Sequence, residues 1–423
     1  MNTLEKIWRY TDLRNKILVA VCLLLLTRFL AHIPLPGVDL NRLQLFFQQN
    51  QAFGLLNMFS GGTMKNFSII LMGVGPYITA SIIFQLLGMI FPSIEEMQKE
   101  GEAGKQKINQ WTRLATVPLA MIQAYAMLTV LKSQGIIDAW NLFNLAVMLI
   151  SVTAGTVLLM WLGEIISEKG IGNGVSLIIA LGILSGFPEE IRNTAALVGS
   201  GDTSKIIGVV ATVIIFILSI AGIIFVQEGQ RNIPVSYARR LRSGASGGVS
   251  SHLPIRVNIA GVIPIIFAMS LLVIPGVVAK FLENARTPWL ANGARSVESL
   301  LGNHLFYGIL YFALVVLFTY FYTSIVFKPE QIAENLQKQS GYIPGIRPGT
   351  ETIGYLSTVI TRITLFGALF LGVIAILPFI AQSVTHINTI ALGGTGILII
   401  VSVVVETMRQ LHAQIVMHTY DNY

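Results

Sequence analysis

Long, nearly continuous apolar runs separated by short polar segments dominate the chain. A helix needs roughly 20 mostly apolar residues to cross the hydrocarbon core of a bilayer. The runs lack the alternation of apolar and polar residues that a transmembrane β-barrel shows, so they predict an all-α integral membrane protein. The predicted spans are 16–33, 74–91, 112–131, 141–163, a short fifth at 174–187, 205–226, 259–282, 305–328, 357–381 and 390–408.

The composition strengthens the membrane assignment. Hydrophobic residues make up 53% of the chain, charged residues only 12%, and the mean hydropathy is +0.70. These values lie outside the range of ordinary soluble domains. The first apolar run is not followed by a small-residue cleavage site, and Pro34 to Gly37 turn the chain instead, so we interpret this run as a retained helix.

The basic residues are distributed unevenly between alternate loops. Both termini and the loops on their side hold 19 of the 28 Lys and Arg residues, the loops on the other side hold 8, and Arg28 lies within the first span. Loops rich in Lys and Arg tend to stay in the cytoplasm, so both termini are predicted to be cytoplasmic. This bias explains part of the net charge of +7, and the rest would suit RNA, acidic protein or anionic lipid headgroups.

The number of spans also suggests an internal organisation. A division near residue 200 leaves five spans in each half, with helices 1 to 5 in 1–200 and helices 6 to 10 in 201–423. An odd number of spans makes the second half enter the membrane from the opposite side, as in inverted-repeat transport proteins. We see no residue-level repeat, so this prediction of two inverted five-helix halves rests on the count alone.

The interiors of the predicted spans are almost free of ionisable residues. Ion-coupled transporters and proton pumps usually keep such residues at mid-membrane depth, whereas here Arg28 lies near the end of its span. The histidines have no cysteine or acidic partner at metal-ligand spacing, and neither a nucleophile elbow nor a phosphate-binding loop occurs. We therefore expect no metal, no cofactor and no enzymatic activity. A small-solute transporter and a membrane-embedded enzyme remain as less favoured alternatives.

The connection between the first two spans is unusual. It covers about forty residues, 34–73, yet its segment 53–64 is too apolar for a solvated loop, and long loops in compact domains are usually functional. A re-entrant half-helix fits this segment, and Gly73 and Pro76 would let the chain turn into the second span. The alternative is an interfacial helix on the outer surface.

Eight segments carry a resemblance to a known family. In chain order they are GLLNMFSGG, MGVGPYITASIIFQLL, KEGEAGKQKINQWTR, EKGIGNGVSLII, GQRNIPVSYARR, SSHLPIRVNIAGVIPIIFA, NLQKQSGYIPGIRPGT and ALGGTGILI. From near the N-terminus to about residue 410, the chain resembles the bacterial SecY family, the pore-forming subunits of the protein-conducting channel. The resemblance implies ten spans in two inverted halves, with a pore between them that opens sideways to lipid.

The resemblance assigns a role to the apolar loop and to six isoleucines. The segment 53–66 resembles the family's plug, a short helix that closes the outer funnel, and a ring of isoleucines resembles the family's pore constriction. A narrow apolar ring offers water no hydrogen bonds, so it dewets and seals, yet it can yield around an extended polypeptide. Judged by residue type alone, each isoleucine would more often face lipid or pack in a core. The plug residues are Gly54, Leu55, Leu56, Asn57, Met58, Phe59, Ser60, Gly61, Gly62, Thr63 and Met64. The ring residues are Ile78, Ile82, Ile179, Ile183, Ile266 and Ile399.

The resemblance also implies a lateral gate between the second and third helices on one side and the seventh and eighth on the other. Thr79, Gln123 and Asn258 match a polar cluster that the family places across this gate. Hydrogen bonds between membrane helices contribute about 1 kcal/mol or less each, so such a cluster would bias a closed state without locking it. Ordinary interhelical contacts are the alternative interpretation, and only location distinguishes the two.

Two polar loops, 228–256 and 328–356, are the expected docking surface for the SecA motor or the ribosome. Arg347 is the first candidate because Pro and Gly flank it on both sides, and Arg239 and Arg240 follow. A guanidinium can make paired hydrogen bonds to phosphate or carboxylate, although solvated charge is the usual role of exposed arginines.

These expectations combine into one functional hypothesis. The chain is predicted to be a passive channel in the bacterial plasma membrane that passes unfolded secretory polypeptides and releases hydrophobic signal sequences into membrane lipid. SecA or the translating ribosome would supply the energy, and small SecE-like and SecG-like membrane subunits would accompany the channel.

Overall fold

A computed structural model describes residues 10–35, 38, 42–43, 63–64, 66–137, 141–199, 203–237, 250–282, 287–385 and 394–420. The fold is helical apart from one small sheet. Its elements in chain order are α1 Thr11–Leu30, α2 Gly75–Ile90, α3 Pro92–Lys99, α4 Glu102–Ser133, α5 Leu142–Lys169, α6 Gly174–Leu184, α7 Phe187–Gly199, α8 Thr203–Glu228, β1 Gln230–Tyr237, β2 Ser250–Arg256, α9 Ile263–Leu282, α10 Pro288–Gly302, α11 His304–Val326, α12 Pro329–Lys338, β3 Gly341–Tyr342, α13 Thr350–Thr385 and α14 Gly394–Tyr420.

The ten predicted spans correspond, in chain order, to α1, α2, α4, α5, α6, α8, α9, α11, α13 and α14. Within the described residues, seven helical stretches are long and apolar enough to cross a membrane, including one that runs from α6 into α7. Two further apolar helices are shorter, namely α2 and the first half of α9. The short fifth span begins at Gly174 as expected, but α6 ends at Leu184 and a second helix, α7, begins at Phe187 after a two-residue break.

Large apolar side chains point outward along these helices. Leu114 on α4 and Phe225 on α8 are each 77% exposed, and Ile309 on α11 is 70% exposed. Soluble proteins rarely expose contiguous apolar surface of this kind. The outward positions therefore face hydrocarbon, in agreement with the all-α membrane class.

The glycine-rich turn before α6 is a tight connection. Gly172 has a φ of +87°, a conformation that glycine adopts readily. Asn173 caps α6 because its Oδ1 accepts a hydrogen bond from the backbone N–H of Ser176 at 3.1 Å. A side chain at Gly174 would collide with the backbone of Gly163 on α5, so the turn holds α5 and α6 in close contact.

The segment that leads into α2 is firmly packed. Phe67 and Leu71 are fully buried in a cluster with side chains of α4 and α5. Thr63 and Met64, the last two predicted plug residues, are buried and form turns. The other plug residues, Gly54 to Gly62, lie outside the described residues. Gly73 has a φ of +56° and turns the chain into α2, as the sequence predicts.

The two loops predicted to dock a partner contain regular structure that the apolar runs of the sequence do not predict. β1 pairs antiparallel with β2, and β3 from the second loop pairs with the other edge of β1. The second loop also contains α12. Ile233 and Val235 are buried at alternate positions of β1, which is the period of a strand with one packed face. This short alternation was the signal that could have revealed the sheet.

Candidate pore constriction, gate and docking surface

All six predicted ring isoleucines meet in one hydrophobic cluster at the centre of the helices. They come from four helices: α2 and α6 contribute two each, and α9 and α14 contribute one each. The members of each pair are four residues apart, so they lie on the same face of their helix. The ring residues are Ile78, Ile82, Ile179, Ile183, Ile266 and Ile399.

Four of the six side chains are buried. Ile399 is 0% exposed, Ile179 and Ile183 are below 4%, and Ile266 is 8% exposed. Ile78 and Ile82 are half-buried and pack against the cluster. Because every ring side chain is aliphatic, none of them offers a hydrogen bond to water or to an ion, so the arrangement can act as a hydrophobic seal.

The helices predicted to form the lateral gate are in contact, since α9 packs against both α2 and α4. Among the described residues, no hydrogen bond joins Thr79, Gln123 and Asn258. Thr79 donates its hydroxyl proton to the backbone oxygen of Gly75 on its own helix at 3.1 Å. The predicted gate helices are thus in contact, but these three side chains make no hydrogen bond with one another.

Asn258 instead makes a polar connection that the sequence analysis missed. Its Nδ2 donates to Gln227 Oε1 on α8 and to the backbone oxygen of Gly261, both at 3.1 Å. Gln227 Nε2 donates in turn to Ser402 Oγ on α14 at 2.6 Å. This series of hydrogen bonds, called here the Gln227 bridge, joins the segment before α9 to α8 and α14. Its members are more than 30 residues apart in sequence, so no local pattern could reveal it.

A second interaction fixes the same end of α8. The guanidinium of Arg409 on α14 donates to the backbone oxygen of Gln227 at 2.6 Å and lies 3.0 Å from the carboxylate of Glu228. α14 extends well beyond the predicted span, which ends at 408. The extra turns therefore carry a contact that joins α8 and α14.

The two predicted docking loops form a single structural unit. Ile233 of β1, Ile255 of β2 and Ile343 after β3 are buried together with Leu356 at the start of α13. We call this assembly, which comprises 230–237, 250–256 and 328–363 around that cluster, the sheet unit. The two loops and the first turns of α13 therefore share one hydrophobic core.

Arg347 lies at an exposed turn of the sheet unit. Its backbone N–H donates to Glu351 Oε2 at 3.3 Å, and its backbone oxygen accepts from Thr352 Oγ1 at 2.9 Å. The flanking Gly345 and Gly349 both have positive φ angles. Two hydrogen bonds to the first turn of α13 thus hold the backbone at Arg347, while the side chain is exposed. Arg239 and Arg240 lie outside the described residues.

Candidate metal ligands do not gather in the part of the chain that the structure describes. There, no group of three or more His, Cys, Asp or Glu side chains could hold a metal ion. The described residues thus provide a buried aliphatic cluster, contacts between the predicted gate helices, and the sheet unit.

These features define a multi-pass helical membrane protein whose helices enclose an apolar centre, and comparison with known proteins identifies its family. The family model described as SecY matches residues 68–408. The protein translocase subunit SecY of Halalkalibacterium halodurans is 41% identical over 432 residues, which cover 100% of this chain and 99% of that protein. The corresponding subunit of Thermus thermophilus is 40% identical, over 97% and 95% of the two chains. The chain therefore belongs to the SecY family.

Solved structures show the same fold at lower sequence identity. A structure of a protein-conducting channel superposes with a TM-score of 0.68 at 20% identity and covers 95% of this chain and 92% of that one. Sec61 in the canine ribosome–channel complex gives a TM-score of 0.65 at 21% identity over the same shares. The helical membrane fold predicted from the sequence is thereby confirmed.

Proposed function

We propose that this chain is the channel subunit of a protein translocase, which passes unfolded polypeptides across the membrane and releases hydrophobic segments sideways into lipid. The observation that carries the proposal is the convergence of six isoleucines from four helices on one buried cluster. Membership of the SecY family supports the same activity. The channel is passive, and energy comes from a SecA-like motor or a translating ribosome.

The ring isoleucines form the constriction through which the polypeptide passes. Their helices come from both sequence halves, 1–200 and 201–423, so separation of the halves would widen the ring. The segment 53–66 closes the outer side as a plug. Its last residues are buried against α4 and α5, which would keep the plug tethered when it moves.

Asn258, with Thr79 and Gln123, belongs to the lateral gate between α2 and α4 on one side and α9 and α11 on the other. The contact of α9 with both α2 and α4 supports this position. The Gln227 bridge gives the gate a fixed side, because it ties the start of the α9 segment to α8 and α14.

The sheet unit is the docking surface for the motor or the ribosome, with Arg347 at its exposed turn. Arg239 and Arg240, which follow β1 in the sequence, also contribute to this surface. The exposed, braced turn at Arg347 supports this role. The structure of Sec61 in a ribosome–channel complex supports a ribosome as a partner. SecE-like and SecG-like subunits accompany the channel. The channel lies in the bacterial plasma membrane, and both of its termini are cytoplasmic.

Site-specific crosslinking tests the proposed path. A photoreactive amino acid is placed at Ile82, Ile183 or Ile266 in vesicles that contain a stalled secretory chain, and Ile122 and Ile309 serve as matched positions on the outward face of the helices. Crosslinks from all three ring positions and none from the two outward positions are expected. Crosslinks from the outward positions alone would overturn the assignment of the pore.

A further inference from the structure

The connection between α9 and α11 contains an amphipathic helix for which neither the family resemblance nor the proposed function provides a role. α10 has 15 residues, which gives it a length of about 22 Å at 1.5 Å per residue. It carries Asn292, Arg295 and Ser299 on one side. A helix this short and polar does not cross a bilayer, so its apolar side chains need another explanation.

One part of the apolar surface of α10 packs against the protein. Ala294 is buried, and Leu290 and Leu301 are half-buried on the same face. The Leu301 side chain lies beside Gly276 of α9, where an added Cβ would be 3.8 Å from it. α10 is thereby attached to the end of α9.

A second apolar stripe of α10 is exposed. Trp289 is 74% exposed, Leu300 is 51% exposed, and Val297 is also exposed. Their spacing of eight and three residues places them on one side of the helix. The polar residues Asn292 and Ser299 lie on a different side, so the exposed part of the helix has an apolar edge and a polar edge.

The position of α10 along the chain identifies what covers the apolar edge. Only Asn303 separates α10 from α11, whose first turns expose Leu305 and Ile309 to hydrocarbon. α10 must therefore lie at the level where α11 enters the membrane. At that level, Trp and apolar side chains of an amphipathic helix insert between headgroups and acyl chains, while the polar edge faces water.

We infer that α10 is an interfacial helix that binds the bilayer surface through Trp289, Val297 and Leu300. Because α10 also packs against α9, it fixes that end of α9 at the headgroup level. The ligand is the lipid surface itself, and the recognition is by apolar insertion and not by a headgroup-specific pocket. The inference does not depend on the channel activity.

Spin labels at two exposed positions test this inference. The chain has one cysteine, Cys22, so Cys22→Ser provides a background for Trp289→Cys and the matched control Asn292→Cys. Both positions are exposed, so labelling either one leaves the packed face of α10 intact. The labelled full chain is reconstituted into phosphatidylcholine and phosphatidylglycerol vesicles, and collision with oxygen is compared with collision with a water-soluble nickel chelate.

The label at residue 289 is expected to show a several-fold higher ratio of oxygen to nickel collisions than the label at residue 292. Equal, water-like ratios at both positions would overturn the inference. Protection of residue 289 from both reagents would also overturn it, because a protein partner or a second copy of the chain would then cover the stripe. Retained secondary structure, measured by circular dichroism, shows that each variant is folded.

Discussion

The cluster of the predicted ring and the sheet unit are both built around buried isoleucines, but the two cores have different surroundings. In the ring cluster, Ile179, Ile183 and Ile399 are buried among hydrophobic side chains from several membrane helices. In the sheet unit, a core around Ile233 and Ile255 supports an exposed arginine turn. The same residue type is therefore proposed to form a seal in one place and a scaffold in the other.

This difference has a physical consequence. A seal depends on the absence of polar atoms, because a single hydrogen-bonding group lowers the cost of wetting the constriction. A docking surface depends on the placement of a charge, because a guanidinium binds phosphate or carboxylate only when it is held at the surface. The two regions should thus respond to opposite kinds of substitution, and the following experiments test that contrast.

The largest effect is expected from Arg347→Glu. Disruption of a hydrogen-bonded charge pair at an interface costs about 2–5 kcal/mol, which corresponds to roughly a 30-fold or greater loss of affinity. Motor-driven export into vesicles should fall while ion leakage stays unchanged. Arg192→Glu, the same charge change at an exposed residue of α7, is the control and should leave export intact. Normal export by the Arg347 variant would remove this residue from the docking site.

Ile399→Asn is expected to break the seal and leave docking unaffected. An amide buried without a partner costs about 1–3 kcal/mol, and a bias of that size shifts a two-state equilibrium by roughly 5- to 150-fold. Ion conductance of reconstituted vesicles should rise, and defective signal sequences should be rejected less strictly. Ile399→Val keeps the site apolar and should change neither property strongly. Unchanged leakage and selectivity in the Asn variant would contradict the ring assignment.

A smaller rise in leakage is expected when the plug is shortened. Deletion of Gly54–Gly62 keeps Thr63 and Met64, whose burial against α4 and α5 supports the fold. The loss of the plug removes one of two barriers, while the isoleucine ring remains. Single-channel conductance measures the effect, and a control deletion can be made in 243–248, a glycine- and serine-rich part of the docking loop. Conductance equal to that of the intact chain would contradict the plug assignment.

The smallest effect is expected from Gln227→Leu, which removes the Gln227 bridge. Asn258 would lose one of its two hydrogen-bond acceptors, at a cost of about 1–3 kcal/mol for an unsatisfied buried group. The gate should open more readily, so a secretory chain with a weak signal sequence should be exported faster, with export and docking of normal substrates little changed. Gln410→Leu, which removes only a bond from the backbone N–H of Gly172, is the control. Equal behaviour of the two variants would show that the bridge has no role in gating.

The sequence predicted the membrane helices better than the structure of the polar loops. The ten apolar runs each correspond to a helix because burial in lipid requires continuous apolar length, which is visible locally. The strands β1, β2 and β3 were missed because their alternating pattern is short and Pro234 and Pro254 interrupt it.

The ring isoleucines and the Gln227 bridge show two different limits of prediction from the sequence. The ring isoleucines could be selected only through the family resemblance, since many other isoleucines in the chain face outward, such as Ile122 and Ile309. Gln227 could not be selected at all, because a polar residue at the end of a membrane helix usually contacts water or headgroups. Its bond to Asn258 exists only because α8 and the segment before α9 meet in the fold.

The sequence by itself determined that this is a helical membrane protein, where its helices lie along the chain and which family it belongs to. These properties follow from local hydrophobic length and from long matching segments. Only the tertiary structure decided which isoleucines share one buried cluster, that two distant loops form one sheet unit, and that Gln227 joins α8 to α14. The physical reason is that an apolar side chain has no preference between lipid and protein interior, so the contacts between helices decide its position.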